Sequence, residues 1–271
     1  MDKINIRKPV VSGQFYAPSA NSLKAQIEGL IDKDALKIEV IACVMPHAGY
    51  MYSGRVAGAT ASRISIKDKI ILLGPNHTGL GAPFSIMTSG RWQTPLGEIK
   101  IDAGLADKIL KSSKYLKADD LAHAHEHSLE VELPFLQYFK NDFEFVPIAI
   151  LSDELNLLKE LGRDIASAVS AYKDSILIIA STDMTHYEPQ AEAEKKDKEA
   201  IQAILELNED KLMSKVKSLN ITMCGYAPTI AAICAAKALG ATKAELVKYE
   251  TSGDVTGDRD SVVGYAGIII Y

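Results

Sequence analysis

The sequence lacks several features that would place it in a familiar class of protein. Its 271 residues include only three cysteines, Cys43, Cys224 and Cys234, and their spacing forms no CxxC pair, which argues against a disulfide scaffold. No run approaches the roughly 18 apolar residues that a membrane-spanning helix needs, and the first residues lack an apolar stretch of signal-peptide length. We therefore expect a cytoplasmic protein that does not contact membranes.

Motifs for three common kinds of chemistry or binding are also missing. The net charge of −5 comes from acidic and basic residues spread along the chain, so there is no basic footprint for nucleic acid. No G-x-S-x-G elbow presents a serine nucleophile. The glycines of residues 74–83 (GPNHTGLGAP) are not followed by the Lys-Ser/Thr pair of a phosphate-binding loop.

Three short apolar runs are present, and each is followed by a side chain that can bind a metal. His47 follows the first run, His77 the second, and Asp183 and His186 the third. Strands that are apolar on both faces belong in a covered parallel sheet, and ligands bind beyond the carboxyl ends of such strands. We therefore predict that these four side chains meet at one edge of a sheet. The runs span residues 38–45, 70–74 and 175–180.

The order of the remaining segments favours one α/β domain that covers residues 1–271. Apolar strands alternate with helical patterns, as in the strand at 144–151 followed by a helix from Asp153 to about Ala171, and this alternation predicts a largely parallel central sheet. Residues 84–101 contain short β-like pieces separated by glycine and proline, which predict an antiparallel excursion.

The donor atoms leave more than one metal open. Two histidines and a carboxylate suit non-haem Fe(II), whereas two histidines and a thiolate suit zinc, copper or iron. Cys224 precedes an alanine-rich helix whose dipole is expected to lower the pKa of its thiol. The alternative for His47 and His77 is that each imidazole only bonds to loop backbone. Cys43 and Cys234 are expected to be small buried apolar residues.

The segment 121–140 (LAHAHEHSLEVELPFLQYFK) is rich in histidine and glutamate. His127 and Glu130 are three residues apart, which places them on one face of a predicted helix. One interpretation is that they act in acid/base chemistry or orient other groups of the site. The alternative is that they lie at the start of an ordinary surface helix. Pro134 lies either in an early turn of this helix or at a kink. His123 and His125 are expected to be exposed.

Seven ordered motifs together resemble those of the Memo family, whose prokaryotic branch is often called AmmeMemoRadiSam system protein B. The resemblance runs from about residue 6 to the C-terminus. The family is similar in fold to the class III extradiol ring-cleaving dioxygenases, which implies a single α/β/α domain with its site at the strand ends. The motifs are PVVSGQFYAPS (9–19), PHAGYMYSG (46–54), LLGPNHTG (72–79), EHSLEVELPFLQ (126–137), STDMTHY (181–187), TMCGYAP (222–228) and SGDVTGDRDSVVGYAG (252–267).

The resemblance also implies a ligand set, namely His47, His77 and Cys224, for a bound iron or copper ion. One expected function is a metal-dependent oxidoreductase with dioxygenase-like chemistry on a small molecule or peptide bound at the strand ends. The other is a non-catalytic protein that binds a peptide or metabolite in the same pocket. The resemblance assigns a polar or catalytic role in the pocket to His127, Asp183 and His186.

Overall fold

A parallel sheet core organises the computed structural model, which describes residues 5–172 and 174–271. The strands are β1 (Ile6–Arg7), β2 (Ala42–Met45), β3 (Lys69–Pro75), β4 (Phe84–Ile86), β5 (Arg91–Thr94), β6 (Gly97–Ile101), β7 (Lys117–Ala118), β8 (Glu144–Ile150), β9 (Ile176–Ser181), β10 (His186–Glu188), β11 (Ala244–Thr251) and β12 (Val262–Ile270). The main path through the sheet is β1-β5-β6-β8-β3-β9-β2-β12-β10, and β6, β8, β3, β9 and β2 pair in parallel.

The three apolar runs predicted as strands are confirmed as β2, β3 and β9, although the first begins only at Ala42. Every residue of β2 and β9 is buried, as is every residue of β3 except Lys69. Met45 of β2 is paired with Ser181 of β9, and Leu73 of β3 with Ala180. These registers bring the carboxyl ends of the three strands level, so the loops that follow them share one edge.

Antiparallel pairs flank this core on both sides. Strand β4 runs antiparallel to β8, and β5 antiparallel to β6, which confirms the predicted excursion. At the other side, β12 is antiparallel to β2, β11 and β10. The carboxyl-end loops of the parallel strands are therefore framed by the excursion on one side and by the C-terminal strands on the other.

Helices lie on both sides of the sheet, as expected for an α/β/α arrangement. They are α1 (Ala20–Glu28), α2 (Tyr50–Arg63), α3 (Ala103–Ser112), α4 (Leu121–Ala124), α5 (Leu133–Phe139), α6 (Leu155–Ser170), α7 (Gln190–Leu205), α8 (Glu209–Ser218), α9 (Tyr226–Ala238) and α10 (Ser252–Thr256). Helix α9 packs on β2, β3 and β9 with α6 outside it, whereas α2 contacts β2, β11 and β12 and is joined by α5. Both faces of the central strands β2, β3 and β9 are thereby covered.

Two sequence expectations for the histidine-rich segment are wrong. Residues 128–132 form turns, and the helix begins only at Leu133, with Pro134 in its first turn. His123 is fully buried rather than exposed, because its ring packs edge-on against Trp92 at a centroid distance of 5.9 Å. His125 is exposed as expected.

Among the described helices, none combines the length and the apolar character that a membrane crossing requires. The cytoplasmic location inferred from the sequence stays a prediction.

Candidate metal centre

Three side chains that the sequence singled out converge where the parallel strands end. One donor atom each from His47, His77 and Cys224 lies within 4.8 Å of the others. The Sγ atom of Cys224 is 3.4 Å from Nε2 of His47, and the rings of His47 and His77 meet edge-on with centroids 5.3 Å apart. Two imidazoles and one sulfur in this arrangement are a donor set that transition metals use.

Cys224 reaches the strand ends because glycine follows it. A Cβ atom at Gly225 would lie 2.3 Å from the carbonyl oxygen of Ser181, so any larger residue would push the start of α9 away from β9. The close approach lets the backbone N–H of Asp183 donate to Sγ of Cys224 at 3.3 Å. The glycine therefore brings the third donor of the cluster into place.

The sequence-based expectation for the acidity of this thiol is wrong. Burial, followed by the negative charge of Asp183, raises the pKa of Cys224 instead of lowering it. The helix α9 begins two residues later, at Tyr226, and its dipole does not outweigh these two effects. A cation at the site is what would favour the thiolate.

His47 is almost fully buried and is held through both its backbone and its ring. Its backbone N–H donates to Oδ1 of Asp183 at 2.9 Å, and its Nδ1 lies 2.8 Å from the hydroxyl of Ser181. Burial, helped by the neighbouring imidazole of His77, lowers its pKa well below the ordinary value. The ring is therefore neutral at neutral pH, as a metal-binding imidazole must be.

His77 is more exposed and is held by an ionised carboxylate. Its Nδ1 is 2.9 Å from Oε1 of Glu126, whose Oε2 accepts a hydrogen bond from the backbone N–H of His77. Burial would raise the pKa of Glu126, but the hydrogen bonds and charge of His77 and the N–H of Ser128 outweigh it and lower the pKa to about 2. An imidazole that donates Nδ1–H to a carboxylate has Nε2 free for a metal.

His127 faces the same two histidines. Its ring stacks on that of His77 at 4.8 Å and lies 5.6 Å from that of His47, while Phe15 packs on it edge-on at 5.0 Å. Burial lowers its pKa, so it is neutral at neutral pH. It lies beside the donor cluster without being one of the three converging donors.

Glu130 is not on the surface, so its interpretation as part of a surface helix start is wrong, and it is not among the residues that line the cavity. It is fully buried and forms an ion pair with Arg7, and it accepts hydrogen bonds from the N–H groups of Val10 and Val11 and from the hydroxyl of Tyr16. This carboxylate therefore anchors the N-terminal segment, which supplies Phe15 to the cavity wall.

The remaining two predicted site residues also reach the cavity. Asp183 accepts hydrogen bonds from the N–H groups of His47 and Ala48, and burial raises its pKa to about 6, although the charge of His186 opposes the rise. Nδ1 of His186 lies 2.9 Å from the carbonyl of Thr222. Since a carbonyl can only accept, Nδ1 of His186 carries a proton, and in the neutral form of the ring Nε2 is the acceptor.

A cavity of about 800 Å³ opens over the donor cluster. Its volume is within the range of small-molecule sites. Aromatic side chains and four imidazoles form much of its lining. The lining residues are Gln14, Phe15, His47, Ala48, Gly49, Met51, Tyr52, His77, His127, Asp183, His186, Tyr187, Thr222, Cys224, Ser252, Thr256, Asp258, Ser261, Val263 and Tyr265.

A second group of possible donors, His77, Glu126 and His127, shares a histidine with the first. Its carboxylate is already occupied: Oε1 of Glu126 accepts from the backbone N–H groups of His127 and Ser128 in addition to its contact with His77. The carboxylate of Glu126 therefore already orients the backbone of residues 127–128 and the ring of His77. The cluster of two imidazoles and a thiol is the better donor set for a metal.

Sequence reasoning missed Glu126 and Ser181, which contact the histidine rings, and Glu132, which contacts Ser181. Glu126 precedes His127 directly in the EHS motif, so its place next to a site histidine was a usable signal. Ser181 ends strand β9 and Glu132 directly precedes helix α5, and neither position has a spacing that points to His47.

Comparison with known proteins supports one family over nearly the whole chain. A profile of the family described as "Memo-like protein" matches residues 7–269. A MEMO1 family protein of Aquifex aeolicus is 43% identical over 270 residues, which cover 98% of this chain and 99% of that protein. A MEMO1 family protein of Methanosarcina mazei is also 43% identical and is covered completely, and one of Methanopyrus kandleri is 41% identical with 98% of its length covered.

A solved structure shares the fold at low sequence identity. It is that of an uncharacterized protein of Escherichia coli K12, with a TM-score of 0.55 and 13% identity over 84% of this chain and 98% of the other. This likeness concerns the fold alone.

Proposed function

The chain belongs to the Memo family, and from this premise we propose that it is a metal-dependent oxidoreductase in which His47, His77 and Cys224 hold an iron or copper ion. The observation that carries the proposal is the convergence of the three donors within 4.8 Å at the floor of the cavity. The Nδ1 atoms of both histidines already have partners, which leaves Nε2 of each ring for the metal.

The donor chemistry supports a soft or borderline metal. A thiolate with two imidazoles suits copper, iron and zinc better than magnesium or calcium, which prefer oxygen ligands. Iron or copper would supply one-electron redox chemistry and reactivity towards dioxygen. The four other imidazole and carboxyl groups that line the cavity offer more proton-transfer chemistry than a structural metal site requires.

The chain's own residues would bind and orient a ligand and move its protons. His127 is neutral and stacked on His77, so its ring can take a proton from a ligand hydroxyl in the cavity. Asp183, whose Oδ1 accepts from the N–H groups of His47 and Ala48, can orient a ligand at the cavity. Nδ1–H of His186 donates to the carbonyl of Thr222, which leaves Nε2 of this ring for a ligand. Phe15 and Tyr265 line the cavity with aromatic surface.

One observation favours a second candidate, a protein that binds a small molecule or peptide in this cavity without catalysis. Tyr187 lies at the cavity with 78% of its surface exposed and with a backbone φ of 60°, a conformation that costs energy for a tyrosine. Met51 beside the cavity is also 63% exposed. Strained backbone conformations cluster at sites that bind ligands, so the conformation of Tyr187 supports a binding role.

Metal content separates the two candidates. We expect anaerobically purified wild-type protein to contain nearly one equivalent of iron or copper, and His47→Ala, His77→Ala and Cys224→Ala to lose it. The matched controls are His125→Ala, an exposed histidine outside the site, and Cys234→Ala, a buried cysteine within α9, both of which should retain the metal. A wild-type protein that stays free of iron and copper after reconstitution would overturn the oxidoreductase proposal and leave the binding role.

A further inference from the structure

The hydroxyl of Ser181 has more close partners than it has protons. Its Oγ lies 2.8 Å from Nδ1 of His47, 2.8 Å from the carbonyl oxygen of Ser128 and 2.8 Å from Oε1 of Glu132. A serine hydroxyl can donate one hydrogen bond and accept two. All three contacts are short, so the position of each proton can be worked out from the chemistry of its partners.

The carbonyl of Ser128 fixes the first proton. A carbonyl oxygen can only accept, so its 2.8 Å contact is attractive only if Ser181 donates its single proton to it. Both lone pairs of Ser181 then remain for its other two neighbours. His47 must therefore donate from Nδ1, and Glu132 must donate from Oε1, which requires the glutamic acid to be protonated.

The surroundings of Glu132 support a neutral acid. The residue is fully buried, and no group of the described residues bonds to its other oxygen, Oε2. A buried carboxylate with one unpaired oxygen costs free energy, because its charge is neither solvated nor hydrogen-bonded. A neutral acid that donates from Oε1 leaves only an uncharged, carbonyl-like oxygen unpaired. Burial also raises the pKa of Glu132 well above its ordinary value, and the negative charge of Asp183 adds to this although the contact with Ser181 opposes it.

We infer that Ser181 and a protonated Glu132 are positioning residues that fix the tautomer of His47. Ser181 accepts Nδ1–H of His47 because its own proton is committed to the carbonyl of Ser128, and Glu132 fills the remaining lone pair. His47 is thereby held with its bare Nε2 towards the cavity and Cys224. The tautomer itself does not depend on a metal. The inference rests on the proposed function only in assigning the free Nε2 of His47 to metal binding.

Infrared difference spectroscopy of the metal-free protein tests the protonation of Glu132. The probe is the spectrum of wild-type protein minus that of Glu132→Gln at neutral pH. We expect the difference to contain the C=O stretch of a neutral carboxylic acid, and Glu132→Gln to fold normally, because its amide N–H₂ can donate to Ser181 from the same place. A difference that contains only carboxylate bands would overturn the inference.

Nuclear magnetic resonance of protein labelled with ¹⁵N in histidine tests the tautomer. The His47 signals are identified by their loss in His47→Gln. In metal-free wild-type protein and in Glu132→Gln, we expect the ring proton of His47 on Nδ1. In Ser181→Ala we expect the preference to be lost, since the acceptor is gone. A proton on Nε2 in the wild type, or an unchanged tautomer in Ser181→Ala, would contradict the inference.

Metal binding then separates this inference from the proposed function. If the function holds, Ser181→Ala should bind the metal with an affinity about 10–100-fold lower, which is the usual effect of removing a hydrogen-bond partner of a ligand histidine. If wild-type protein binds no metal while His47 still carries Nδ1–H, the proposed function fails and the positioning inference stands. If Ser181→Ala does not fold, the infrared difference and the wild-type tautomer still decide the matter.

Discussion

The two histidines of the site are supported in opposite ways. His77, whose side chain is 34% exposed, donates to the ionised carboxylate of Glu126. His47, whose side chain is 2% exposed, contacts the neutral hydroxyl of Ser181, and the carboxyl group behind that hydroxyl is held protonated. One imidazole therefore rests directly on a negative charge, and the other is separated from its carboxyl group by a serine.

The difference follows from burial and from the charges that are already present. Near His47, Asp183 can carry negative charge, as can the sulfur of Cys224 once a cation is bound, and Oδ2 of Asp183 is 3.9 Å from Nε2 of His47. A further carboxylate in this buried region would be repelled by them and poorly solvated. Glu126 instead receives three backbone N–H groups and the ring of His77, which stabilise its charge. At this site, the ionised support carboxylate is therefore the one whose charge several donors compensate.

Removal of the negative charge of Glu126, which contacts His77, should have the largest effect on stability and metal affinity. In Glu126→Gln the three backbone donors and the imidazole lose an ionised acceptor, and the lowering of the pKa from 4.5 to about 2 corresponds to a loss of about 3 kcal/mol of stability at neutral pH. We also expect metal affinity to fall about 10–100-fold. Urea unfolding and competitive metal titration measure the two effects.

The matched control for that experiment is Glu98→Gln, which removes an exposed carboxylate in β6 that is 3.8 Å from Arg91. Exposed pairs contribute little, so this variant should differ from wild type by less than about 1 kcal/mol. Equal losses in the two variants would show that Glu126 is not a special support for His77.

The two carboxyl groups should respond to pH with opposite signs. The pKa of Glu126 is lowered, so its contribution is present above 4.5 and is lost as the pH falls towards 2. The pKa of Glu132 is raised from 4.5, so above that pH the unfolded chain releases a proton that the folded chain keeps, and this residue makes the fold less stable as the pH rises.

Substitution of Glu132 isolates the second of these effects. The free energy of unfolding of Glu132→Gln minus that of wild type should increase with pH above 4.5, by up to about 1.4 kcal/mol per pH unit. Denaturant titrations at several pH values give this difference directly. A difference that is constant with pH would mean that Glu132 ionises in the folded protein.

The smallest effect on metal content is expected at His127. It lies beside His77 but outside the three-donor cluster, so His127→Asn should retain the metal at the wild-type stoichiometry. Elemental analysis beside His77→Ala checks this. Loss of the metal from His127→Asn would instead indicate that the metal is bound by the second donor group, which this histidine forms with His77 and Glu126.

The sequence was sufficient to predict the elements whose patterns are local. Strand β3 is buried along its length and ends in a glycine and a proline, so both its place in the sheet and the position of His77 beyond it could be read from the residues. The same reasoning placed His47 and Asp183 at the shared edge, and the structure brings them together. The family resemblance, and not the spacing, supplied the choice of Cys224 as the third donor.

What could not be predicted depends on contacts between distant segments. Glu130 was expected on a helix face, but it lies in a stretch of turns, and its partner Arg7 in β1 is 123 residues away. The protonated state of Glu132 depends on burial and on a serine 49 residues away. The acidity of Cys224 depends on its burial and on Asp183, which outweigh the helix that follows it.

X-ray absorption spectroscopy of the anaerobically purified protein tests the central claim most directly. The account predicts a metal whose first coordination shell contains one sulfur and two imidazole nitrogens in the wild type. The sulfur should be lost in Cys224→Ser and retained in Cys234→Ala. A wild-type spectrum with no sulfur neighbour, or one that Cys224→Ser leaves unchanged, would contradict the claim that His47, His77 and Cys224 form the metal centre.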